Sequence, residues 1–167
     1  MDDFIKNQGL PFMAHLLRRL ADDFIRNIAS WYEESGVKAP PRTHSTMLAL
    51  RRHGPMSVTE VASLLRQSHP LVITWVRQLK ALGFIATNLD PADGRRTVLS
   101  LTSAGTAEVQ KHEEADRVVG RAFEHLMKEV DADVFDGLWR IEEACRQVSF
   151  HDRLIREMTR LSSADQA

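Results

Sequence analysis

Two adjacent arginines, Arg95 and Arg96, follow the stretch Asn88-Leu89-Asp90-Pro91-Ala92-Asp93-Gly94. Two guanidinium forks side by side suit phosphate oxygens or a narrow electronegative groove, because each presents fixed planar donors and keeps its charge at every working pH. Gly94 gives this tip backbone freedom. Upstream, Thr74, Arg77 and Lys80 share the polar face of a helical stretch. The chain's net charge is only −1, but residues 42–96 hold 8 basic against 3 acidic residues, whereas residues 97–167 hold 9 against 14. A cationic segment inside a near-neutral chain is what a surface that meets a polyanion requires.

Other chemistries fare worse. Glu108 and His112 stand at i and i+4, and His44 could lie nearby. As a zinc set they are incomplete, and a helical Glu-His pair reads as solvated neighbours, so neither a metal nor another cofactor is expected. The position four after His112 is Asp116, which removes a zincin motif. There is no Gly-x-Ser-x-Gly, no phosphate-binding glycine loop and no set of cysteines for redox chemistry, so the chain does not read as an enzyme. Cys145 is the only cysteine and falls in an apolar seam, where a small packing residue is wanted. It cannot form an intrachain disulfide.

The elements that position the cations follow from periodicity. Phe12, Leu16, Leu20, Phe24, Ile28 and Trp31 predict a long amphipathic helix ending near Ser35-Gly36, with Ala39-Pro40-Pro41 as a stiff joint. A second helix starts near Thr43 and ends at Gly54-Pro55. Ser57-Val58-Thr59-Glu60 is a capping box that opens a short third helix. Ser68 caps a fourth, with Pro70 in its first turn, which runs to Gly83. Phe84–Thr87 and Thr97–Leu101 are β-favouring and predict a hairpin with a long charged tip. Thr102 caps a long helix to about Glu129, and Val134, Leu138, Ile141, Cys145 and Val148 step by heptad in the last helix.

Two short helices, the second presenting polar residues, followed by a hairpin form a winged helix-turn-helix over residues 42–101. The fold class is mainly α with a small β-hairpin (α+β). The 167 residues make one domain, whose helical lobe comprises residues 10–36 and 102–161. With 43% hydrophobic and 27% charged residues the composition is that of a globular protein. No apolar run reaches the ~18 residues of a membrane span and no signal sequence opens the chain, so a cytoplasmic protein with no membrane partner is expected.

The segments Gly54-Pro55-Met56-Ser57-Val58-Thr59-Glu60-Val61-Ala62, Leu79-Lys80-Ala81-Leu82-Gly83-Phe84-Ile85, Asp90 to Arg96 and Leu101-Thr102-Ser103-Ala104-Gly105, in this order and spacing, resemble the MarR family. The most specific pieces are Asp93 to Arg96 and the Leu-Thr-x-x-Gly that follows. The resemblance implies a homodimer that binds pseudopalindromic double-stranded promoter DNA, usually a repressor released by a small aromatic or phenolic effector. By motif position it implies Arg95 in the minor groove, Arg96 on the backbone, and Asp93 shaping the wing through a local ion pair. In the recognition helix it implies Ser68, His69, Leu71, Thr74 and Arg77 as DNA-facing. Family members often carry a Ser or Thr followed by Arg where this chain has Ile73-Thr74, so one expected cation is absent. His15, Arg18, Trp31, Tyr32 and Met47 fall in the region where effectors of the family bind. The competing expectation is a winged-helix protein-interaction module that has lost sequence-specific DNA binding.

Overall fold

The computed structural model describes residues 3–90, 93–94 and 96–164. The chain divides into two compact units, Met1–Val119 and Gly120–Ala167.

The first unit opens with a short helix, α1 (Phe4–Gln8), whose first turn is capped by the Asp3 carboxylate accepting the Lys6 N–H at 3.1 Å. Five residues are too few for a periodicity to show, and the sequence does not predict this helix. The expected start at Phe12 is also displaced: Phe12 closes a 3-10 turn, and α2 runs from Met13 to Glu34. It ends as predicted at Ser35-Gly36. Gly36 takes φ +72°, and the Val37 N–H reaches back to the Tyr32 carbonyl at 2.8 Å, a Schellman-type end.

After the Pro40-Pro41 joint comes α3 (His44–His53). Thr43 sits at its N-cap position, but its hydroxyl donates to the Pro40 carbonyl at 2.7 Å and does not cap. The capping box at Ser57 and Glu60 forms as expected and starts α4 (Val58–Leu65). Arg66, with φ 51°, turns the chain into α5 (His69–Ala81), where Pro70 occupies the first turn. Ser68 holds the N-cap backbone position without a side-chain capping bond.

The strands β1 (Ile85–Leu89) and β2 (Thr97–Leu101) pair antiparallel with Thr87 opposite Leu99. The predicted first strand ends at Thr87; pairing carries it on to Leu89, where it meets Thr97. Met56 and Leu99 exchange backbone hydrogen bonds of 3.1 and 2.7 Å, which ties β2 to the entry of α4. Beneath these elements lies a core of Met47, Leu50, Val61, Val72, Val76, Leu79, Phe84, Ile85, Leu99 and Val109. These are the inward positions of the predicted helix and strand periods.

The helix α6 spans Ser103–Glu129, and the unit boundary falls within it. In the second unit, the Asp133 carboxylate accepts the Asp136 N–H at 2.9 Å and opens α7 (Val134–Gln147). Val148 is extended, and the Ser149 hydroxyl accepts the Asp152 N–H at 3.1 Å to start a separate helix, α8 (Phe150–Ala164). The heptad seam therefore stops at α7, and a helix break that the apolar spacing does not reveal follows it. Cys145 is half-buried. Among the described residues, no helix is long and apolar enough to cross a membrane.

A single crowded joint accounts for the Leu-Thr-x-x-Gly motif. The Thr102 hydroxyl donates to the Gly83 carbonyl at 2.7 Å and accepts the Gly105 N–H at 3.0 Å, while the Thr102 N–H donates to the Phe84 carbonyl at 3.0 Å. A Cβ placed on Gly105 would stand 1.9 Å from that same Phe84 carbonyl oxygen. Backbone cannot yield there as a flexible side chain would. Gly105→Ala should therefore cost on the order of 2–3 kcal/mol of stability, measurable as a lowered urea midpoint. Gly120→Ala, where a Cβ meets nothing within 4 Å, should not lower it.

Candidate nucleic-acid interface

On α5 the 3.6-residue period separates a buried face, Val72, Val76 and Leu79, from an outward face that includes Ile73, Thr74, Arg77 and Lys80. Ser68, His69 and Leu71 are exposed at its N-terminal end. The structure thus brings together all five recognition-helix residues predicted to face DNA. Ile73 is 37% exposed, so packing does not consume it. The Thr74 hydroxyl donates to the Pro70 carbonyl at 3.1 Å, which leaves its methyl as an outward contact. The Arg51-Arg52-His53 run, also exposed, ends α3 and adds cations to the same unit.

The hairpin is the second part of the surface. Arg95 lies outside the described residues. Arg96, expected to meet phosphate, is ion-paired with the Glu60 carboxylate of α4 and lies 3.5 Å from Asp90. Its backbone N–H donates to the Asp93 carbonyl at 2.8 Å, and the Asp90 N–H donates to the Arg96 carbonyl at 2.7 Å, which narrows the hairpin toward its tip. Gly94 has no positive φ, and a Cβ there would meet nothing within 4 Å, so the freedom expected of this glycine is not used. The Ser57 N–H, with the Arg96 guanidinium next, holds the Glu60 carboxyl down to about 2.

Residues 36–96 match the MarR family model. The match covers 61 of the 167 residues, from the end of α2 to the hairpin. No curated protein matches. Among solved structures, a transcriptional repressor, CouR, bound to a 23-mer DNA duplex is 20% identical over 87% of this chain and 98% of its own, with a TM-score of 0.65. A mutant MarR from E. coli complexed with operator DNA is 16% identical over 89% and 99%, with a TM-score of 0.61. The Bordetella bronchiseptica protein BpsR, whose DNA binding is regulated by 6-hydroxynicotinic acid, is 25% identical over 72% and 94%, with a TM-score of 0.52. These likenesses extend the MarR fold beyond the matched segment.

The residues expected at the effector site of a MarR protein are not brought to one place. His15 and Arg18 are exposed on α2, about 26 and 21 Å along the helix from Tyr32 at 1.5 Å per residue. Met47 is fully buried in the core under α4 and α5. Trp31 and Tyr32 do share a cluster, with Ile28, Val37 and Ala115.

Beside that cluster the structure overturns the reading of Glu108 and His112 as solvated neighbours. Glu108 is 3% exposed and accepts the backbone N–H groups of Lys38 and Ala39, the latter at 2.9 Å. These two donors lie just before Pro40-Pro41, where no helix or strand can satisfy them, and the carboxylate takes the place of a backbone partner. His112 is fully buried, with no hydrogen-bond partner at either ring nitrogen. Its ring stacks on His44 at 4.2 Å and meets the edge of Tyr32 at 4.9 Å. Asp116 lies 3.3 Å from His44 Nδ1 and accepts the Tyr32 hydroxyl at 3.2 Å. Among the described residues, no group of three or more His, Cys, Asp or Glu is arranged to hold a metal ion. The i, i+4 spacing was the available signal, but spacing does not tell which face of α6 is covered.

Burial, reinforced by the neighbouring His44, holds His112 down to about 4, and burial also lowers His44 against the pull of Asp116 and Glu113. The folded chain therefore binds fewer protons than the unfolded chain as pH falls from the ordinary histidine value toward 4. Stability should be fully present above about pH 6.5 and be lost progressively down to about pH 4, by on the order of 3 kcal/mol for His112 alone. Urea unfolding at pH 7.5 and pH 5 checks this. His112→Phe should flatten the difference while keeping the aromatic stack, and an equally steep loss in that variant would assign the effect elsewhere.

Proposed function

We propose that the protein is a ligand-responsive repressor that binds, as a homodimer, a pseudopalindromic operator in double-stranded DNA. The observation that carries this is the outward face of α5, with Thr74 and Arg77 exposed beside a winged hairpin on the most cationic segment of the chain. In this reading α5 enters the major groove, Ser68 and His69 meet phosphate near its N-terminus, and Arg77 takes a guanine edge. Leu71, Ile73 and the Thr74 methyl suit thymine methyl groups. Arg95 enters the flanking minor groove, with Asp93 shaping the wing that carries it.

A second copy is supported by what each unit leaves uncovered. On α8, Phe150, Leu154, Ile155, Met158 and Leu161 are all at least 45% exposed. In the other unit, Phe4, Leu10, Met13, Leu16, Leu17 and Leu20 are exposed too. Apolar stripes of this extent are normally buried by a partner, and two-fold symmetry would set the half-sites about one helical turn of DNA apart. Two neighbours with small-molecule partners support an effector: BpsR with 6-hydroxynicotinic acid, and CouR from Rhodococcus jostii bound to p-coumaroyl-CoA. Trp31, whose indole N–H is buried without a partner, and Tyr32 suit an aromatic acid better than the distant His15 and Arg18 or the sealed Met47.

The test is selection of DNA fragments from a random-sequence pool by the purified protein at two salt concentrations. A two-fold repeat should be enriched, and affinity should fall steeply with salt. Arg77→Ala should weaken binding by roughly 10- to 100-fold, the worth of one bidentate base contact, and relax selectivity at one base pair per half-site. Arg95→Ala should weaken it and alter A·T preference at the flanks. No enrichment at either salt would favour the protein-interaction module. Sedimentation should return twice the chain mass of 19.0 kDa, and Leu154→Asp should shift it toward one.

A further inference from the structure

Glu60 does two things at once. As the third residue of α4 it completes the capping box: its Oε2 accepts the Ser57 N–H at 2.8 Å and the Ser57 hydroxyl at 2.9 Å, while its own N–H donates to Ser57 Oγ at 3.2 Å. The same Oε2 accepts the Arg96 guanidinium from the far strand of the wing. Most exposed ion pairs contribute little, because two long side chains must be immobilised to make them. Here the carboxylate is already immobilised by the cap, and the guanidinium also faces Asp90 across the hairpin at 3.5 Å.

The pair also sits where a wing needs a second tie. Backbone bonds between Met56 and Leu99 hold β2 to the entry of α4 at one point. Arg96 and Glu60 hold it at a second, three residues along the chain and so up to about 10 Å away. The base of the hairpin is held at Thr102 and Leu99, which leaves the end toward Leu89 and Thr97 to be fixed by a tie farther out.

We infer that Glu60 is a positioning residue for the DNA-binding surface, and that Arg96 acts as the wing's anchor on α4 rather than as a phosphate contact. The consequence concerns Arg95, the residue just before it in the chain, whose approach to the minor groove depends on where the wing points. This rests on the DNA-binding reading above, but the tie itself exists without DNA.

Glu60→Gln separates the two duties. Glutamine serves in a capping box, so α4 keeps its first turn, but it carries no charge to hold Arg96. The first measurement is amide hydrogen exchange without DNA. In E60Q the amides of Asp90 and Arg96 should exchange faster by roughly two- to fivefold, the worth of one well-ordered ion pair, and those of α4 should not change. Unchanged exchange at the hairpin overturns the anchor, whatever the protein binds.

The second measurement is affinity for a labelled duplex enriched by the wild-type protein, across a salt series. E60Q and Arg96→Gln should each weaken binding to a similar extent, the double variant should be no worse than either, and the salt slope should stay as in the wild type. Arg96→Lys, which keeps the cation, should recover most of the loss. If Arg96 instead meets phosphate, Glu60 competes with DNA: E60Q then binds more tightly, and R96Q lowers the salt slope by about one contact. That pattern overturns the inference, as does additivity in the double variant. Failure to enrich any duplex would count against the DNA-binding reading alone, and hydrogen exchange would still decide the anchor.

Discussion

The approach of Gly105 to the Phe84 carbonyl is the constraint on which the first unit's geometry turns. Phe84 follows directly from the end of α5: its N–H donates to the Leu79 carbonyl at 2.9 Å, and Gly83 makes the turn with φ +74°. The Phe84 carbonyl accepts the Thr102 N–H, and the Thr102 hydroxyl bridges Gly83 to Gly105. The last turn of α5, the base of the hairpin and the first turn of α6 therefore meet within a few backbone groups. A side chain at position 105 would part them. Because the joint is made of backbone and one threonine hydroxyl, it has few conformational alternatives, and the outward face of α5 inherits that rigidity.

Given that joint, the distribution of charge acquires a meaning that the total conceals. The basic segment contributes its cations unequally to an outward surface. Arg42 is ion-paired with Asp22 at 2.8 Å, and Arg96 with Glu60, whereas Arg77 and Lys80 stand on the exposed face of α5. A sum over residues 42–96 therefore overstates the charge offered to a polyanion. The carboxylates that neutralise Arg42 and Arg96 tie α2 to the segment after the Pro40-Pro41 joint and the hairpin to α4.

What was legible in the sequence was local. Ser57 and Glu60 are three residues apart, and the capping box they predict is present; Gly36, Gly54 and Gly83 mark helix ends at positive φ. The winged arrangement follows from periods of 3.6 and 2 in the right order. What was not legible depended on partners distant in the chain. Arg96 meets a carboxylate 36 residues away, and Glu108 caps amides 69 and 70 residues away. No spacing rule reaches that far. The break after Val148 was hidden because α7 and α8 are both amphipathic, so apolar residues continue across a turn made by Ser149. For Gly105 the motif could be recognised, but its reason, a carbonyl at van der Waals contact, appears only in three dimensions.

The two polar clusters of the first unit obey opposite electrostatics, and that separates the variables to which they respond. Glu60 and Arg96 are exposed and charged; with the carboxyl held to about 2, no ordinary change of pH alters the pair, but added salt screens it. His112 is buried and His44 half-buried, and burial holds both below the ordinary histidine value, so salt has little to act on, while a proton on His112 must enter a buried site where neither ring nitrogen has a hydrogen-bond partner. Salt therefore loosens the wing without touching the contact between α3 and α6, and acid strains that contact without touching the wing.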